Sequence, residues 1–272
     1  MLSRQHKYPW GAMPKTKIKQ VKSMTIDMTD KFYTFEFEYP ITMAEHDLYY
    51  RLKPAALLNL LQDCASRHID LSPFNNHDLN AQNLGWFLIR YRIEFDKYPQ
   101  ELSCVKIKTE HRGFLRQTSF RDFEAYDNNG ERLLRATTSW LMVDLSSKSL
   151  VNLEQKYPDI KKFEKRGDDL VLRRLKSCED FDNQTTFRVR YDDLDMNGHV
   201  NNIVYMTWAL EALDFDFRNS HTIGAIDIYY RHEAKYGEKI LSCVKHDDKF
   251  SMHLIKNAAN DEEICLIKIE YK

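Results

Sequence analysis

The sequence lacks the long apolar runs, the signal-peptide pattern and the charge excess that mark membrane, secreted and nucleic-acid-binding proteins. Its apolar runs fall far short of the roughly 20 residues that a membrane-spanning helix needs. The 40 basic and 41 acidic residues leave a formal charge of −1, so no overall field recruits nucleic acid or an anionic membrane. Residues 1–24 lack the apolar centre of a signal peptide, and we interpret the segment 1–30 as an N-terminal tail rather than a transit peptide. These absences predict a soluble, cytoplasmic protein.

The sequence also contains no CxxC and no GxSxG pattern. Its cysteines are odd in number and irregular in spacing, which fits reduced thiols and gives no support to a metal site. They are Cys64, Cys104, Cys178, Cys243 and Cys265. Without the GxSxG turn, a covalent serine intermediate is not indicated. We therefore expect neither a metal nor a cofactor.

A short repeat divides the 272 residues into two similar halves. The pentapeptide LSCVK occurs at residues 102–106 and again at 241–245. Each copy follows an aromatic and β-branched run, at 86–99 and 223–238, and such runs are typical of strands. Because the neighbourhoods correspond as well as the pentapeptides, we interpret the halves as two copies of one unit.

Each half also has a strand followed by a long helix. In the first half the strand is 32–41, and the helix, 54–68, opens with Pro. In the second half the strand is 185–191 and the helix is 200–217. The apolar stripe of this second helix consists of Val200, Ile203, Val204, Leu210 and Leu213.

The repeated unit predicts an α+β pseudo-dimer. A lone helix on a curved antiparallel sheet leaves a sheet edge and one face poorly covered, and two units side by side cover each other. We assign residues 31–150 to the first unit and 185–272 to the second. The segment 151–184 is charged and has no clear period, so it is expected to be a linker. The oligomeric state stays open, and a homodimer is allowed.

A polar motif distinguishes the second unit from the first. In DLDMNGHVNN, residues 193–202, Asp195, Asn197 and His199 alternate just before the helix. One such residue is ordinarily a helix cap, but a cap uses one side chain and here there are three. The matching segment of the first unit, PITMAEHDLYYRLKPAALL, has no such pattern. We therefore expect the second unit to hold the chemistry and the first unit to serve binding.

The motif suits attack of water on an acyl carbon. An imidazole or a carboxylate can activate the water, an amide can orient it, and N–H groups at a helix start can stabilise the oxyanion. A thiol leaving group, with a pKa near ~8.5, departs as a thiolate without a strong acid to protonate it. The residues are thus compatible with hydrolysis of a thioester by an activated water.

The segment DLDMNGHVNNIVYMTWALEAL resembles the signature of the acyl-acyl carrier protein (acyl-ACP) thioesterases, the plant plastid enzymes and their bacterial relatives. NLGWFLIRYRIEFDKYP, RGFLRQTSFRDFEAYDNNGERLLRATTSWLMVD and IYYRHEAKYGE are similar to family segments in the same order, so the resemblance covers about residues 32–272. It implies a double hotdog fold, in which each unit is a long helix wrapped by an antiparallel sheet. It also implies release of free fatty acid from acyl-ACP, which ends chain elongation in fatty acid biosynthesis. A plant source would imply the plastid stroma.

The resemblance further implies four catalytic residues. The family's Asp, Asn and His fall on Asp195, Asn197 and His199, and its Glu, on a later strand of the same unit, falls on Glu233. The plant members have Cys at the next position, where this chain has Ala234, and this departure argues against a thiol nucleophile. Glu233 is the first choice of general base, with Asp195 and His199 setting its protonation state or each other's.

By the same resemblance, the acyl chain enters the first unit. Leu57, Leu58 and Leu61 of its helix and Trp86 of the next strand are candidates for a tunnel lining, and ordinary core packing is the alternative for each. Because acyl carrier protein is acidic, its docking face is expected to be basic. The candidate cations are Arg90, Arg92, Arg112, Arg116, Arg121, Lys161, Lys162, Lys165, Arg166, Arg173 and Arg174.

Three functional hypotheses remain from the sequence. The first is an acyl-ACP thioesterase. The second is an acyl-CoA thioesterase or another hotdog enzyme such as a dehydratase. The third is an acyl-binding or scaffold protein with a lapsed site, which is disfavoured because reactive residue types fill all four catalytic positions.

Overall fold

The structure is a computed structural model that describes residues 33–72 and 75–272. The expected tail, 1–30, lies outside these residues. The first half of the described chain contains β1 (Thr34–Pro40), α1 (Pro54–Asp70), α2 (Asn76–Ala81), β2 (Leu84–Phe95), β3 (Cys104–Leu115), β4 (Thr118–Tyr126) and β5 (Arg132–Asp144). After β6 (Ser149–Leu150) and α3 (Leu153–Lys156), the second half contains β7 (Asn183–Arg188), α4 (Asn202–Glu211), α5 (Phe215–Ser220), β8 (Ile223–Tyr230), β9 (Lys239–His246), β10 (Phe250–Asn257) and β11 (Glu263–Tyr271).

These strands form one antiparallel sheet that both units share. The order is β1-β3-β4-β5-β2-β8-β11-β10-β9-β7, with β6 paired to β5 off this path. Counted from the outer edge inward, each unit arranges its own strands as first, third, fourth, fifth and second. The units join where β2 pairs with β8, from Arg90↔Tyr229 to Glu94↔Ala225. The predicted α+β pseudo-dimer of two copies of one unit is confirmed.

The LSCVK repeat marks equivalent strands of the two units. Residues 102–106 lead into β3, and residues 241–245 lie within β9. Val105 and Val244, the valines of the two copies, are both fully buried in the same core. The repeated pentapeptide therefore places the same valine on the core-facing side of the equivalent strand in both units.

Two central helices, α1 and α4, lie against the sheet and contact each other. Helix α1 starts at Pro54, whose missing N–H costs nothing in a first turn. Leu57, Leu58 and Leu61 follow at helical spacing and are buried. The largest apolar core extends across both helices and both units, and each half also has a smaller buried cluster of its own.

The second helix is shorter than the sequence predicts. Instead of running through 200–217, α4 ends at Glu211, and α5 starts after Asp214. Asp214 has an extended backbone and occupies the N-cap position of α5, where Asp is favoured while it is a poor interior helix residue. Of the predicted stripe, Val200, Leu210 and Leu213 are buried, whereas Ile203 and Val204 are half-buried.

The run 223–238 is also not one strand. Strand β8 ends at Tyr230, and the N–H groups of Arg231 and His232 both donate to the Ile264 carbonyl, at 2.8 and 3.2 Å. Two consecutive donors on one acceptor interrupt the ladder as a bulge does. Glu233 consequently lies in an irregular segment beyond the strand end, rather than on a strand.

The segment 151–184, expected to be a plain linker, includes α3 and residues that pack against the sheet. Leu153, Ile160 and Leu175 are buried. The chain passes so close to β3 that a Cβ on Gly113, which has φ +103°, would lie 2.4 Å from the Lys161 carbonyl oxygen. Only glycine fits there without displacing the segment.

Candidate active site

The polar motif folds as a tight loop that Asp195 organises. Its Oδ1 accepts the backbone N–H groups of Asn197 at 2.8 Å and His199 at 3.2 Å, and its own N–H donates to the His199 carbonyl at 2.8 Å. Gly198 has φ +80°, a conformation that glycine adopts without strain. The alternation in the sequence thus becomes a turn in which one carboxylate fixes the positions of the amide and the imidazole.

Three backbone and hydroxyl contacts hold the Glu233 segment against this loop. The Val200 N–H donates to the Ala234 carbonyl at 3.0 Å, and His199 forms a bridge with Lys235. The Ala234 N–H donates in turn to the hydroxyl of Tyr205, a residue of α4, at 3.1 Å. These contacts fix the two residues that follow Glu233 against a loop and a helix that are distant in sequence.

These contacts bring His199 and Glu233 together. His199 Nε2 lies 3.3 Å from Glu233 Oε2, and the two side chains are 30% and 42% exposed. Desolvation by partial burial raises the pKa of Glu233 above its ordinary value of 4.5, and the negative charge of Asp195 adds to this, whereas His199 and Lys235 oppose it. The structure thus brings all four predicted catalytic residues into one region, in which the pKa of one carboxyl group is raised.

A cavity of about 340 Å³ lies beside this region, between the two units. We call it the inter-unit cavity, and its size is within the range of small-molecule sites. The second unit contributes Asp195, Met196, Asn197, Asn201 and Asn202 to its wall. The first unit contributes Gln62, Ala65, Ser66, His68, Ile69, Ser72, Trp86, His111, Phe114, Ser119, Arg121 and Trp140. The polar motif of one unit therefore adjoins a space that is mostly enclosed by the other.

Only one of the four predicted tunnel residues lies on this wall. Trp86 lines the inter-unit cavity. Leu57, Leu58 and Leu61 do not; they lie in the buried core nearer the start of α1. The wall residues of α1 run from Gln62 to Ile69; Ala65 belongs to both core and wall, and the others are mostly polar, so apolar spacing does not identify them.

The sequence analysis also missed the polar part of the cavity wall. Strand β4 places Ser119 and Arg121 in phase with Phe123 and Ala125 on its buried side. The alternation along β4 could have predicted this, because Arg121 is in phase with buried apolar residues, whereas an exposed arginine is expected on the opposite face of the strand.

Several candidate docking cations are not available at the surface. Arg92, Arg112 and Arg121 are each less than 8% exposed. Arg92 pairs with Asp227, and Arg112 pairs with Asp122 and Asp169. Arg166 and Arg173 are occupied by Glu110 and Glu270. Arg92, Arg112 and Arg121 were wrong as members of an exposed basic patch, because they are buried. Arg166 and Arg173 remain exposed, and their pairing with carboxylates only partly offsets their charge.

The thiols and metal-binding side chains give no alternative centre. Burial raises the pKa of Cys265 well above its usual range, and it also raises that of Cys243, so neither is a thiolate at neutral pH. Within 33–72 and 75–272, no three His, Cys, Asp or Glu side chains are grouped in a way that could hold a metal ion. No helix in that part of the chain has the length and apolarity to cross a membrane.

Comparison with known proteins identifies relatives over most of the chain. Oleoyl-acyl carrier protein thioesterase 2, chloroplastic, of Arabidopsis thaliana is 24% identical over 250 residues, covering 76% of this chain and 68% of that protein. Palmitoyl-acyl carrier protein thioesterase, chloroplastic, of Gossypium hirsutum is 27% identical over 191 residues, covering 65% of this chain and 46% of that protein. The match thus spans about half the length of the cotton relative.

Solved structures share the fold. An acyl-ACP thioesterase from Bacteroides thetaiotaomicron aligns with a TM-score of 0.79 at 22% identity, over 90% of this chain and 100% of that one. The 12:0-ACP thioesterase from Umbellularia californica aligns with a TM-score of 0.77 at 20% identity, over 88% and 97%. These alignments confirm the predicted double hotdog fold.

Family models match both units. The acyl-ACP thioesterase N-terminal domain matches residues 32–160, and the C-terminal domain matches residues 176–272. Because the two matches together cover well over half of the sequence, the chain belongs to the acyl-ACP thioesterase family.

Proposed function

We propose that the chain hydrolyses the thioester of fatty acyl-acyl carrier protein by attack of an activated water and releases the free fatty acid. The observation that carries the proposal is the 3.3 Å approach of Glu233 to His199, next to a loop whose Asp195 and Asn197 line the inter-unit cavity. Family membership supports the reaction class, and the relatives described above are named for acyl chains on acyl carrier protein.

In this proposal Glu233 is the general base. Its carboxylate takes a proton from water as the oxygen attacks the thioester carbon, and its raised pKa makes it a better proton acceptor than an ordinary glutamate. His199 holds the carboxylate in place. Asp195 is the weaker candidate for the base, because its oxygens already accept hydrogen bonds from Asn197 and from the His199 backbone.

The carbonyl oxygen needs donors as negative charge develops on it. Asn202 is the first residue of α4 and lines the inter-unit cavity. Its N–H has no acceptor among the described residues, as is usual for the first turn of a helix. We assign this N–H, together with the Asn197 amide, to the oxyanion, where the positive end of the helix dipole adds to the stabilisation.

Departure of the thiol completes the reaction without a further catalytic residue. The phosphopantetheine thiol, with a pKa near ~8.5, leaves as a thiolate. The carrier docks on the cations that remain free of the pairs described above, among them Arg116, Lys162, Lys165 and Arg174. The cytoplasm is the proposed compartment, or the plastid stroma for a plant source.

The test offers the purified protein one fatty acyl chain on carrier protein and on CoA, and measures free thiol and free fatty acid. We expect faster release from the carrier protein. Release from CoA alone would replace the proposal with an acyl-CoA thioesterase. Release from neither would leave an acyl-binding protein.

A further inference from the structure

The wall of the inter-unit cavity contains a cation that forms no ion pair with any of the described residues. Arg121 lines the cavity and is 7% exposed. Its Nη1 donates to His68 Nδ1 at 2.9 Å and to the Thr109 hydroxyl at 3.0 Å. Among the described residues, no carboxylate lies within 4 Å of its guanidinium, whereas the buried Arg92 and Arg112 are each paired with aspartate.

The groups around Arg121 leave its charge unbalanced. Burial lowers its pKa to about 10, so it remains protonated at neutral pH. Burial and the nearby cations hold the pKa of His111 well below 6.5, which makes that imidazole neutral. His68 Nδ1 must accept from Arg121, since a guanidinium only donates. The wall here therefore carries one positive charge and several neutral hydrogen-bonding groups.

Further hydrogen-bonding groups lie on the cavity wall. Ser119 lies 3.1 Å from His111 Nε2, and both residues line the cavity. Trp86, also on the wall, has a buried indole N–H without a hydrogen-bond partner among the described residues. An unsubstituted alkyl chain has no acceptor for these groups, and it would also displace the water that otherwise hydrates them.

We infer that the inter-unit cavity takes an acyl chain that carries a second carboxylate away from the thioester, with Arg121 as its counter-ion. The inference rests on the proposed function, since the chain enters as a thioester substrate. Guanidinium is the protein cation best matched to a carboxylate. Arg121 already lost most of its hydration when the protein folded, so binding of the carboxylate forms an ion pair without a further desolvation cost for the arginine.

The sheet order separates this cation from the catalytic residues. Arg121 lies on β4, and β5 and β2 intervene between β4 and β8, the strand that leads to Glu233. Asp195, the acidic residue on the wall, makes no ion pair with Arg121. The second carboxylate therefore lies on a part of the acyl chain that is remote from the thioester carbon.

The experiment compares acyl-ACP substrates in matched pairs, from C8 to C18, with either a methyl or a carboxylate at the far end. We expect kcat/KM for the carboxylate member to exceed that of its methyl partner by about tenfold to a hundredfold at the optimal length. This is the contribution that a hydrogen bond to a charged group typically makes. Arg121→Met should abolish or reverse this ratio, and Arg121→Lys should retain part of it. Faster hydrolysis of the methyl member at every length would overturn the inference and leave the proposed function intact.

Binding of the free acids separates the inference from catalysis and from misfolding. Wild-type protein should bind monomethyl dodecanedioate about tenfold or more tightly than methyl dodecanoate, a comparison in which only the first ligand carries a carboxylate and which needs no variant and no turnover. Equal affinities across a length series, or equal affinity for methyl 12-hydroxydodecanoate and the monomethyl diacid, would refute a role for charge. If no substrate is hydrolysed, the proposed function fails, and this binding ratio still decides the inference.

Discussion

Replacement of Glu233 by Gln tests the proposed chemistry most directly. Glutamine keeps the size of the side chain and its 3.3 Å approach to His199 Nε2, but it cannot accept the proton of water. General-base steps contribute 10²–10⁴-fold, which corresponds to about 3–5 kcal/mol of the barrier. We expect kcat to fall by roughly that factor, measured as fatty acid release from acyl-ACP at saturating substrate.

The pH profile gives a second signature of the same residue. Desolvation raises the pKa of Glu233 above 4.5. The wild-type kcat/KM should therefore decline with falling pH from a point above 4.5, as the base becomes protonated. The residual activity of Glu233→Gln should lack this limb.

Stability should change in the opposite direction from activity. Because the folded-state pKa of Glu233 is raised, the folded protein holds the proton more tightly than the unfolded chain does. The resulting destabilisation is absent below the unfolded pKa and is fully present once the pH exceeds the folded pKa. Glu233→Gln should then melt at the same temperature as wild type or higher at pH 7, with the difference vanishing in acid.

A control pair with the same residue types, His and Glu, is available elsewhere in the second unit. His232 Nδ1 and Glu262 Oε1 lie 3.6 Å apart, with side chains that are 53% and 44% exposed, and neither is one of the four predicted catalytic residues. Glu262→Gln should leave turnover unchanged. The reasoning is refuted if Glu233→Gln retains near-normal turnover, or if both variants lose activity equally.

The other variants separate the roles of motif, cavity and core. His199→Ala should lower kcat by about 10²-fold or more while circular dichroism shows a folded protein, because the carboxylate loses its positioning partner. Asn197→Ala should reduce kcat/KM by a similar factor for every chain length from C8 to C18, since it acts at the thioester that all substrates share; a length-dependent loss would contradict that role. Ala65→Leu, on the cavity wall, should shift the preference toward shorter chains, whereas Leu61→Trp, at a fully buried core position, should lower the free energy of unfolding by about 1–3 kcal/mol. Cys265→Ser should remain active, and inactivation without unfolding would argue against the water mechanism.

Periodicity and repetition in the sequence determined the architecture. The LSCVK pair, the two strand–helix openings and the aromatic runs are local signals, and local signals report the secondary structure and its order. They predicted two copies of one α+β unit and placed the polar motif before the second helix. They predicted the ends of two elements wrongly. Helix α4 ends at Glu211, shortly before the Asp214 cap of α5, and strand β8 ends at Tyr230, after which two N–H groups share the Ile264 carbonyl.

Only the tertiary structure decided which side chains meet. Glu233 reaches His199 because the backbone of Ala234 is bonded to Val200 and to the Tyr205 hydroxyl, contacts between residues about 30 positions apart that no local pattern encodes. Leu61 and Ala65 are neighbours on one face of α1 and both belong to the core, yet only Ala65 also reaches the cavity, which depends on where the sheet leaves space. The sequence specifies which residues are apolar. The volume left between packed elements, and the burial of Arg121 beside it, arise only when the two units pack together.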